Sequence, residues 1–235
     1  MPRFILFDLD GTLIDGVDDL VNSLNGVLHK HQLRSLTRRE LEAMLGDGMR
    51  MLVQRAFAAR GVTLTAPDHN TACDDFIAAY KATGYEATRL YAGVTDTLKL
   101  LHDSGWQIGL ASNKLTNPCD SILQRLGIRG LFSVVAGGDA THVKKPDGGH
   151  LLYALQQMGF SREAGDVAVM VGDHANDVDA ARAAGIAAIA VALEVDATRA
   201  SSLGADAVVT DFAVLPAVLK AIAPGRPGSA PAAGS

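Results

Sequence analysis

Five short apolar runs separated by helical patterns restrict the fold of this 235-residue chain more than any other feature. Their hydrophobicity is continuous rather than alternating, which is the pattern of strands that are covered on both faces. Parallel sheets with helices on both faces bury their strands in this way, so the pattern predicts an α/β fold. The runs are FILF at 4–7, QIGLA at 107–111, FSVVA at 132–136, VAVMV at 167–171 and AAIAV at 187–191.

The interval between the first two runs is too long for an ordinary connection between strands. About a hundred residues separate FILF from QIGLA, and they contain no convincing strand pattern, whereas connections in compact domains are normally much shorter. An inserted helical subdomain explains the interval. Helical patterns lie near 17–31, 37–45, 48–60 and 69–83.

These patterns divide the chain into a core and an insert. We expect residues 1–14 and 92–222 to form a discontinuous α/β core, and residues 15–91 to form the helical insert. The two places where the chain crosses between them are expected to act as a hinge. Residues 223–235 are rich in Pro, Gly, Ala and Ser, so they are expected to form a disordered tail.

Composition narrows the class of partner. A hydrophobic content of 48% with 5% aromatic residues is typical of an α/β protein rich in Ala, Leu and Val. The net charge of -5 comes without a long basic run, so neither nucleic acid nor an anionic membrane is expected as a partner. A small molecule is therefore the expected partner. The first apolar stretch is too short for a signal peptide or a membrane span, which predicts a cytoplasmic protein. The sequence leaves monomer and dimer open.

Polar side chains follow four of the five apolar runs. In open α/β sheets ligands bind outside the carboxyl ends of the strands, so these residues are the candidate site. Each strand end would bring a different set of polar groups to one edge of the sheet. The sets are Asp8, Asp10, Gly11 and Thr12; Ser112, Asn113 and Lys114; Lys144 and Lys145; and Asp173, His174, Asn176 and Asp177.

Four aspartates at one edge of a sheet need a compensating cation. Like charges about 4 Å apart repel by roughly 4 kcal/mol at an effective dielectric constant near 20. The predicted ligands are all oxygen atoms, which favours Mg²⁺ over zinc or copper, and a site that keeps positions open for phosphate favours Mg²⁺ over Ca²⁺. His174, next to this motif, is expected to be a supporting or surface group.

The same residues fit the requirements of phosphoryl transfer. That reaction needs an in-line nucleophile, cations over the phosphoryl oxygens and a proton donor for the leaving group. Asp8 at the strand end is the candidate nucleophile, and Asp10 is the candidate acid and base. Lys145 would supply positive charge, Ser112 a hydroxyl group, and the Gly11–Thr12 turn backbone N–H donors.

Each motif alone has an equally good structural interpretation. DLDGT is compatible with a strand followed by an Asp-Gly turn, and ASNK with a helix cap. KKP is compatible with a solvated loop, and GDHAND with a turn or another cap. The occurrence of all four sets at successive strand ends favours a common site.

The set of motifs resembles the haloacid dehalogenase-like hydrolases, and within that superfamily the phosphoglycolate phosphatase branch. The similarity extends from residue 4 to about residue 222. It implies a Rossmann-like parallel sheet with an inserted α-helical type-1 cap domain that closes over the substrate. The motifs that carry it are FDLDGT at 7–12, ASNK at 111–114, KKP at 144–146 and VGDHAND at 171–177.

The resemblance also implies catalytic roles. Asp8 would be the nucleophile and Asp10 the general acid and base, while Lys145 would pair with the phosphoryl group and the nucleophile. Ser112 would bind the phosphate, with Asn113 beside it in the phosphate-binding set.

The resemblance implies a metal site as well. Asp173 would hold Mg²⁺ together with Asp8 and the backbone carbonyl of Asp10, and Asp177 would be a supporting acid.

The insert and its surroundings contain both a resemblance and three departures. LGDGMRMLVQRA at 45–56 resembles the cap loop of phosphoglycolate phosphatases, and Arg50 in it would either hold a substrate carboxylate or lie in solvent. Gly16 stands where the family usually has Ser, and His174 stands where Ser or Thr is frequent. The second proline of the family's KPxP motif is absent after Pro146. None of these departures affects the four chemical groups, so they leave the identity of the substrate more open than the phosphatase reaction.

The sequence thus predicts a Mg²⁺-dependent phosphatase that acts on a small phosphate ester, with 2-phosphoglycolate as the first candidate. A sugar-phosphate phosphatase, a pyrophosphatase and a phosphomutase are the alternatives within the family. A phospho-accepting signalling domain is disfavoured by the helical insert, and a silent binding protein is disfavoured by the presence of Asp8, Asp10, Lys145 and Asp173.

Overall fold

A six-stranded parallel sheet forms the centre of the computed structural model, which describes residues 2–193 and 197–222. The expected disordered tail at 223–235 lies outside the described residues. The strands in chain order are β1 (Arg3–Phe7), β2 (Ile14–Asp15), β3 (Arg89–Leu90), β4 (Trp106–Ala111), β5 (Val134–Ala136), β6 (Val167–Gly172), β7 (Ala187–Val191) and β8 (Ala207–Val209). The spatial order in the large sheet is β5-β4-β1-β6-β7-β8, with all neighbours parallel.

Each of the five predicted apolar runs contains a strand of this sheet, so the predicted α/β fold class is confirmed. The sixth strand, β8, was not predicted, because three residues are too few to form a recognisable apolar run. The order places β1 and β6 next to each other in the middle, so the polar groups that follow these two strands emerge side by side.

Ten α-helices surround the strands in the described part of the chain. Short 3-10 turns lie at Arg129–Leu131 and Phe212–Val214. The helices are α1 (Val17–Lys30), α2 (Arg38–Glu42), α3 (Met49–Ala58), α4 (Ala66–Ala82), α5 (Val94–Asp103), α6 (Thr116–Arg125), α7 (Gly148–Gln157), α8 (Ala175–Ala184), α9 (Ala197–Ser201) and α10 (Leu215–Ile222). None of the helices in the described ranges has the length and apolar character needed to cross a lipid bilayer.

Helices cover both faces of the sheet because successive strand residues point in opposite directions. In β1, Ile5 and Phe7 pack on the face that carries α5, α6 and α10. Phe4 and Leu6 pack on the opposite face, against α7 and α8. Every apolar position of the strand is therefore buried, which explains its continuous rather than alternating pattern.

Helices α1 to α4 form the insert between the first strand of the sheet and the fifth helix. Their buried side chains include Leu24 of α1, Phe57 of α3, and Phe76 and Tyr80 of α4, and they join the core on the Ile5 face of the sheet. Four helices agree with the sequence expectation. The division into separate domains at 15–91, and the movement of the insert as a cap, stay predictions.

The insert is joined to the rest of the chain by a two-stranded antiparallel ladder. Strands β2 and β3 pair through Ile14 with Leu90 and Asp15 with Arg89. Buried Asp19, in the first turn of α1, accepts hydrogen bonds from Thr88 N at 2.8 Å and Thr88 Oγ1 at 2.7 Å. These short strands were not predicted. They hold the two chain crossings together at the place where a hinge was expected.

Candidate active site

The carboxyl ends of β1 and β6 bring three aspartates together. Asp8 directly follows β1, and its backbone N–H donates to Val171 O of β6 at 2.9 Å, so the two strand ends stay paired up to the site. One carboxylate oxygen from each of Asp8, Asp173 and Asp177 lies within 4.8 Å of the others. Asp8 therefore forms one acidic cluster with two aspartates that are 165 or more positions away from it in the sequence.

Gly11 allows the first loop to approach this cluster closely. It has a φ of 78°, and a Cβ atom there would lie 2.4 Å from Asp173 Oδ2. Such a contact is not possible for a side chain, and the positive φ also favours glycine. The next residue, Thr12, is buried and donates from Oγ1 to Asp173 Oδ1 at 2.9 Å. Thr12 thus supports Asp173, whereas the sequence placed it among the phosphate-binding residues.

Lys145 lies beneath the cluster and neutralises part of it. Its Nζ is 3.0 Å from Asp8 Oδ1 and 2.6 Å from Asp177 Oδ1, and its side chain is 1% exposed. Burial alone would lower the pKa of Lys145, but Asp177 and Asp8 outweigh burial and raise it to about 12. Lys145 is therefore a fixed cation against the candidate nucleophile, as the sequence predicts.

The neighbouring carboxylates respond to this environment in opposite directions. Burial would raise the pKa of Asp8, but the Lys145 ammonium and the nearby Ser112 hydroxyl hold it below the usual value. For Asp177, burial and the charges of Asp8 and Asp173 raise the pKa despite Lys145. A low pKa keeps Asp8 ionised, which is the form in which a carboxylate attacks phosphorus.

The donor set fits a hard divalent cation. Asp8 Oδ1 is buried and accepts no hydrogen bond from the described residues, although Lys145 lies nearby. Asp173 lies beside it, with Oδ1 accepting from Thr12 and Oδ2 within 2.9 Å of His174 Nδ1. Oxygen donors of this kind suit Mg²⁺ and related ions. The residues therefore can hold a divalent metal, with Asp8 and Asp173 as its side-chain ligands.

Asp177 is engaged in other contacts on both of its oxygens. Oδ1 accepts from Lys145 Nζ at 2.6 Å, and Oδ2 accepts from His174 N at 3.0 Å at the start of α8. The residue is 1% exposed. This geometry agrees with a supporting role in which Asp177 fixes Lys145 and the first turn of α8.

Asp10 is held by a lysine to which the sequence assigned no role. Lys114 Nζ donates to Asp10 Oδ2 at 2.8 Å. Burial would lower the pKa of Lys114, but Asp10 and Tyr80 outweigh it and raise the pKa above the usual value. Asp10 Oδ1 is buried and has no hydrogen-bond partner among the described residues. One oxygen of Asp10 is thus fixed and the other is available.

The loop after β4 contributes the remaining predicted groups. Ser112 is 3% exposed, and its backbone N–H donates to Ala136 O at 2.9 Å, which continues the sheet past the end of β4. Asn113 Nδ2 donates to Lys145 O and to Gly46 O, both at 2.9 Å. Asn113 therefore joins the strand-end loops to each other and to the insert, and both residues line the same cavity as Asp8.

A cavity of about 420 Å³ lies between these loops and the insert. Asp8, Asp10 and Asp173 line it from the core, and Arg38 and Arg39 line it from α2. Apolar side chains line a further part of it, among them Val17, Leu20, Leu45, Met49, Leu52, Val191, Leu193 and Leu203.

The arginines of the insert differ in whether they reach the cavity. Arg50 does not line the cavity; it is exposed, and its Nη2 donates to Asn70 Oδ1 at 2.5 Å. Arg38 lines the cavity but is paired with Asp15, Asp18 and Glu42. Arg39 lines the cavity and has no side-chain partner among the described residues. The cation that faces the cavity without a counter-ion is therefore Arg39 rather than Arg50.

A loop of the insert at 45–48 is docked on three loops of the core. Gly46 O accepts from Asn113 Nδ2 at 2.9 Å and Asn176 Nδ2 at 3.1 Å, and Asp47 O accepts from Lys144 Nζ at 2.5 Å. Asn176 Nδ2 also donates to Asp47 Oδ1 at 2.9 Å. We call residues 45–48 the docking loop. Its contacts close the cavity on the side of the acids.

Two departures from the family pattern have a local explanation. A Cβ at Gly16 would lie 3.3 Å from Thr88 Oγ1 and 3.4 Å from Asp10 Oδ1, so glycine leaves space beside the unpaired oxygen of Asp10. The ring of His174 lies against the docking loop, where a Cβ at Gly46 would be 2.7 Å from His174 Cδ2. The hydrogen bond to Asp173 raises the pKa of His174 to about 9.

The sequence places Lys114 among the polar groups of one strand end without a role, and it does not indicate Arg39 or the docking contacts of Asn176. A signal existed for Lys114, because it follows Ser112 and Asn113 at the same strand end. No signal in the sequence distinguishes Arg39 from its neighbour Arg38, since their directions depend on how α2 packs.

Comparison with known proteins agrees with this geometry. The model of the haloacid dehalogenase-like hydrolase family matches residues 5–191. A phosphoglycolate phosphatase from Agrobacterium fabrum is 35% identical over 212 residues, which is 89% of each chain. A phosphoglycolate phosphatase from Caulobacter vibrioides is 36% identical over 214 residues, 90% of this chain and 88% of the relative.

A solved structure supports the same relationship. A predicted phosphoglycolate phosphatase from Haemophilus somnus superposes with a TM-score of 0.83 at 28% identity, covering 92% of this chain and 97% of the other. The matched region includes every strand end that carries an acid or a lysine of the site. The chain belongs to the haloacid dehalogenase-like hydrolases.

Proposed function

We propose that this protein is a Mg²⁺-dependent phosphatase that hydrolyses a small phosphate monoester, 2-phosphoglycolate first among the candidates, through an aspartyl-phosphate. The observation that carries the proposal is the placement of ionised Asp8 against Lys145, beside Asp173 and Asp10, in one cavity. The names of the relatives from Agrobacterium fabrum and Caulobacter vibrioides support phosphoglycolate as the substrate.

The first step uses both aspartates of the first loop. A carboxylate oxygen of Asp8 forms a bond to phosphorus while the bond from phosphorus to the ester oxygen breaks. Asp10 donates a proton to that departing oxygen, which leaves as an alcohol. Lys145 and the Ser112 hydroxyl stabilise the charge on the phosphoryl oxygens.

The second step regenerates the enzyme. Water attacks the phosphorus of the aspartyl-phosphate, Asp10 takes a proton from that water, and the bond between phosphorus and Asp8 breaks. Inorganic phosphate leaves, and Asp8 is again a carboxylate while Asp10 is again protonated. One group thus serves as acid and then as base, which matches a carboxylate that lines the cavity and has one oxygen without a hydrogen-bond partner among the described residues.

The metal would be held by Asp8 and Asp173. When bound, Mg²⁺ supplies positive charge that neutralises the phosphoryl oxygens and relieves the repulsion among the clustered carboxylates. The feature of this chain that supports such an ion is the cluster of carboxylate oxygens from Asp8, Asp173 and Asp177, which lie within 4.8 Å of one another.

Arg39 is our candidate for recognising the rest of the substrate. It lines the cavity without a carboxylate partner among the described residues, and a guanidinium can hold a carboxylate with two parallel hydrogen bonds. Phosphoglycolate carries a carboxylate at the end opposite its phosphate. The chemistry of the substrate therefore matches the charges at the two sides of the cavity.

A sugar-phosphate phosphatase is the second candidate, and the size of the cavity favours it. Its volume of about 420 Å³ leaves room for an organic group larger than that of phosphoglycolate. Ligand sites in proteins commonly measure roughly 300–1,000 Å³.

A panel of phosphate monoesters tests the proposal. We expect phosphoglycolate to give the highest kcat/KM in the presence of Mg²⁺, with loss of turnover on chelation and recovery when Mg²⁺ is restored. Asp8→Asn, which keeps the shape of the side chain but removes the nucleophile, should lower kcat/KM by roughly 10⁴-fold or more. Retained turnover by this variant, or a sugar phosphate ranking far above phosphoglycolate, would overturn the corresponding part of the proposal.

A further inference from the structure

A second buried lysine is directed at the other aspartate of the first loop. Lys114 Nζ lies 2.8 Å from Asp10 Oδ2, and the side chains of the two residues are 4% and 21% exposed. The ion pairs of Asp8 and Asp177 are with Lys145 rather than with Lys114. Its contact is specific to the group that handles the proton in the proposed function.

Only one oxygen of Asp10 is engaged by this contact. Oδ2 accepts from Lys114, whereas Oδ1 has no hydrogen-bond partner among the described residues. A carboxylate that is free to rotate about its last bond would present either oxygen to the substrate. Fixing one oxygen sets the direction of the other, which lies next to the space left by Gly16.

The insert in turn holds Lys114. The Lys114 ammonium lies 4.8 Å from the centre of the Tyr80 ring, a residue of α4 that is 1% exposed. A cation over an aromatic ring is attracted by the negative face of the ring, most strongly where water is excluded. Tyr80 is itself fixed by Phe76, with ring centres 6.0 Å apart, and by Tyr85, with ring centres 5.0 Å apart.

Lys114 also contacts the core through its backbone. Its backbone carbonyl is 3.8 Å from Cys119 Sγ of α6, and its backbone N–H donates to Ser112 Oγ at 3.3 Å. The backbone of Lys114 is therefore held by the core while its amino group lies between Asp10 and Tyr80. The lysine connects the insert to the first catalytic loop.

We propose that Lys114 is a positioning residue for Asp10, and that Tyr80 of the insert keeps Lys114 in place. This inference rests on the proposed function, because it assumes that Asp10 donates the proton to the leaving group. It predicts that the orientation of Asp10 depends on the insert being docked. Proton donation would then be efficient only when the insert covers the substrate.

The effect of a Lys114 variant on kcat/KM for different leaving groups distinguishes a positioning role of Lys114 from a structural one. An alkyl ester such as phosphoglycolate needs a proton on its departing oxygen, whereas p-nitrophenolate leaves p-nitrophenyl phosphate without one. The value of kcat/KM reports the steps up to that departure. The ratio of the two kcat/KM values is also independent of how much of a variant is folded.

We expect Lys114→Met to lower kcat/KM for phosphoglycolate by roughly 10²-fold, the scale of a general-acid contribution, and that for p-nitrophenyl phosphate by less than about threefold. Lys114→Arg keeps a hydrogen-bond donor, so its ratio of kcat/KM for phosphoglycolate to kcat/KM for p-nitrophenyl phosphate should lie between those of Lys114→Met and the wild type. Tyr80→Leu should shift the ratio in the same direction as Lys114→Met, and Tyr80→Phe should keep it because the ring remains. Lys99→Met, on an exposed lysine of α5, is the control.

Equal losses on both substrates in Lys114→Met would overturn the inference and leave Lys114 as a folding residue. A wild-type protein that turns over neither substrate with Mg²⁺ would instead contradict the proposed function. A Tyr80→Leu variant with an unchanged ratio would remove the insert from the inference.

Discussion

The core and the insert line the same cavity with different kinds of surface. The core presents charged groups in fixed, buried pairs, with Lys145 against Asp8 and Lys114 against Asp10. The insert presents apolar side chains such as Leu20 and Leu52 together with arginines of α2. One side is preorganised for charge, and the other provides shape and one unpaired cation.

This difference suits the core to the reaction at the phosphate and the insert to recognition of the rest of the substrate. Groups that stabilise a developing charge work best when they do not reorganise during the reaction, which requires the rigid strand ends of the core. Groups that recognise the variable part of a substrate need only contact it while it is bound. The next three predictions test whether the two sides contribute separately.

Removal of the buried cation should have the largest effect. We expect Lys145→Met to lower kcat/KM by roughly 10³-fold for every substrate, as loss of one electrostatic donor does in other enzymes. It should also lower Tm, because it leaves Asp8 and Asp177 buried without a counter-ion.

The adjacent lysine offers a matched comparison for that variant. Lys144 is exposed, and its side chain donates to Asp47 O of the docking loop and to no other group among the described residues, so Lys144→Met should change kcat/KM by less than about threefold. Similar losses in the two variants, measured by steady-state kinetics and thermal unfolding, would contradict the separation between core and insert.

Removal of the unpaired arginine should have a smaller effect that depends on the substrate. We expect Arg39→Gln to raise KM for phosphoglycolate by roughly 10- to 100-fold, the scale of one charge-assisted pair, with little change in kcat. Substrates without a carboxylate, such as p-nitrophenyl phosphate, should be unaffected. Arg50→Gln is the comparison, since Arg50 contacts Asn70 outside the cavity; a larger effect from Arg50→Gln would restore the sequence-based assignment.

Weakening of the docking loop should have the smallest effect. Asn176→Ala removes the donors to Gly46 O and Asp47 Oδ1, and each hydrogen bond is worth about 1 kcal/mol net. We expect KM to rise about three- to tenfold for all substrates, with Tm nearly unchanged. Asn117→Ala, on an exposed residue of α6, is the control. An unchanged KM would show that the docking contacts do not contribute to substrate binding.

The sheet and the acids were predictable because their signals are local. A strand that is buried on both faces is visible as a continuous apolar run, and the rule that ligands bind at strand ends then selects Asp8, Asp10 and Asp173. Nothing about the long-range pairing of β1 with β6 had to be known in detail.

Features formed by tertiary packing were not predictable in the same way. Strands β2 and β3 are two residues each and pair only because the chain crosses twice at one place. Helical periodicity does not predict how α2 and α3 are rotated relative to the core, so the sequence does not show which of Arg39 and Arg50 faces the cavity. The contact of Lys114 with Tyr80 joins residues from the core and the insert, and no pattern within either segment indicates it.

The docking loop has a consequence for how enzymes of this kind acquire new substrates. In three of its four hydrogen bonds with the core, the acceptor is a backbone carbonyl of Gly46 or Asp47. These acceptors remain when side chains of the insert are substituted. Substitutions at the cavity-lining positions of α1, α2 or α3 can therefore reshape the cavity while the insert keeps its contacts with Asn113, Lys144 and Asn176. Laboratory evolution of substrate range can vary these positions, provided that Gly46 and the three donors are kept.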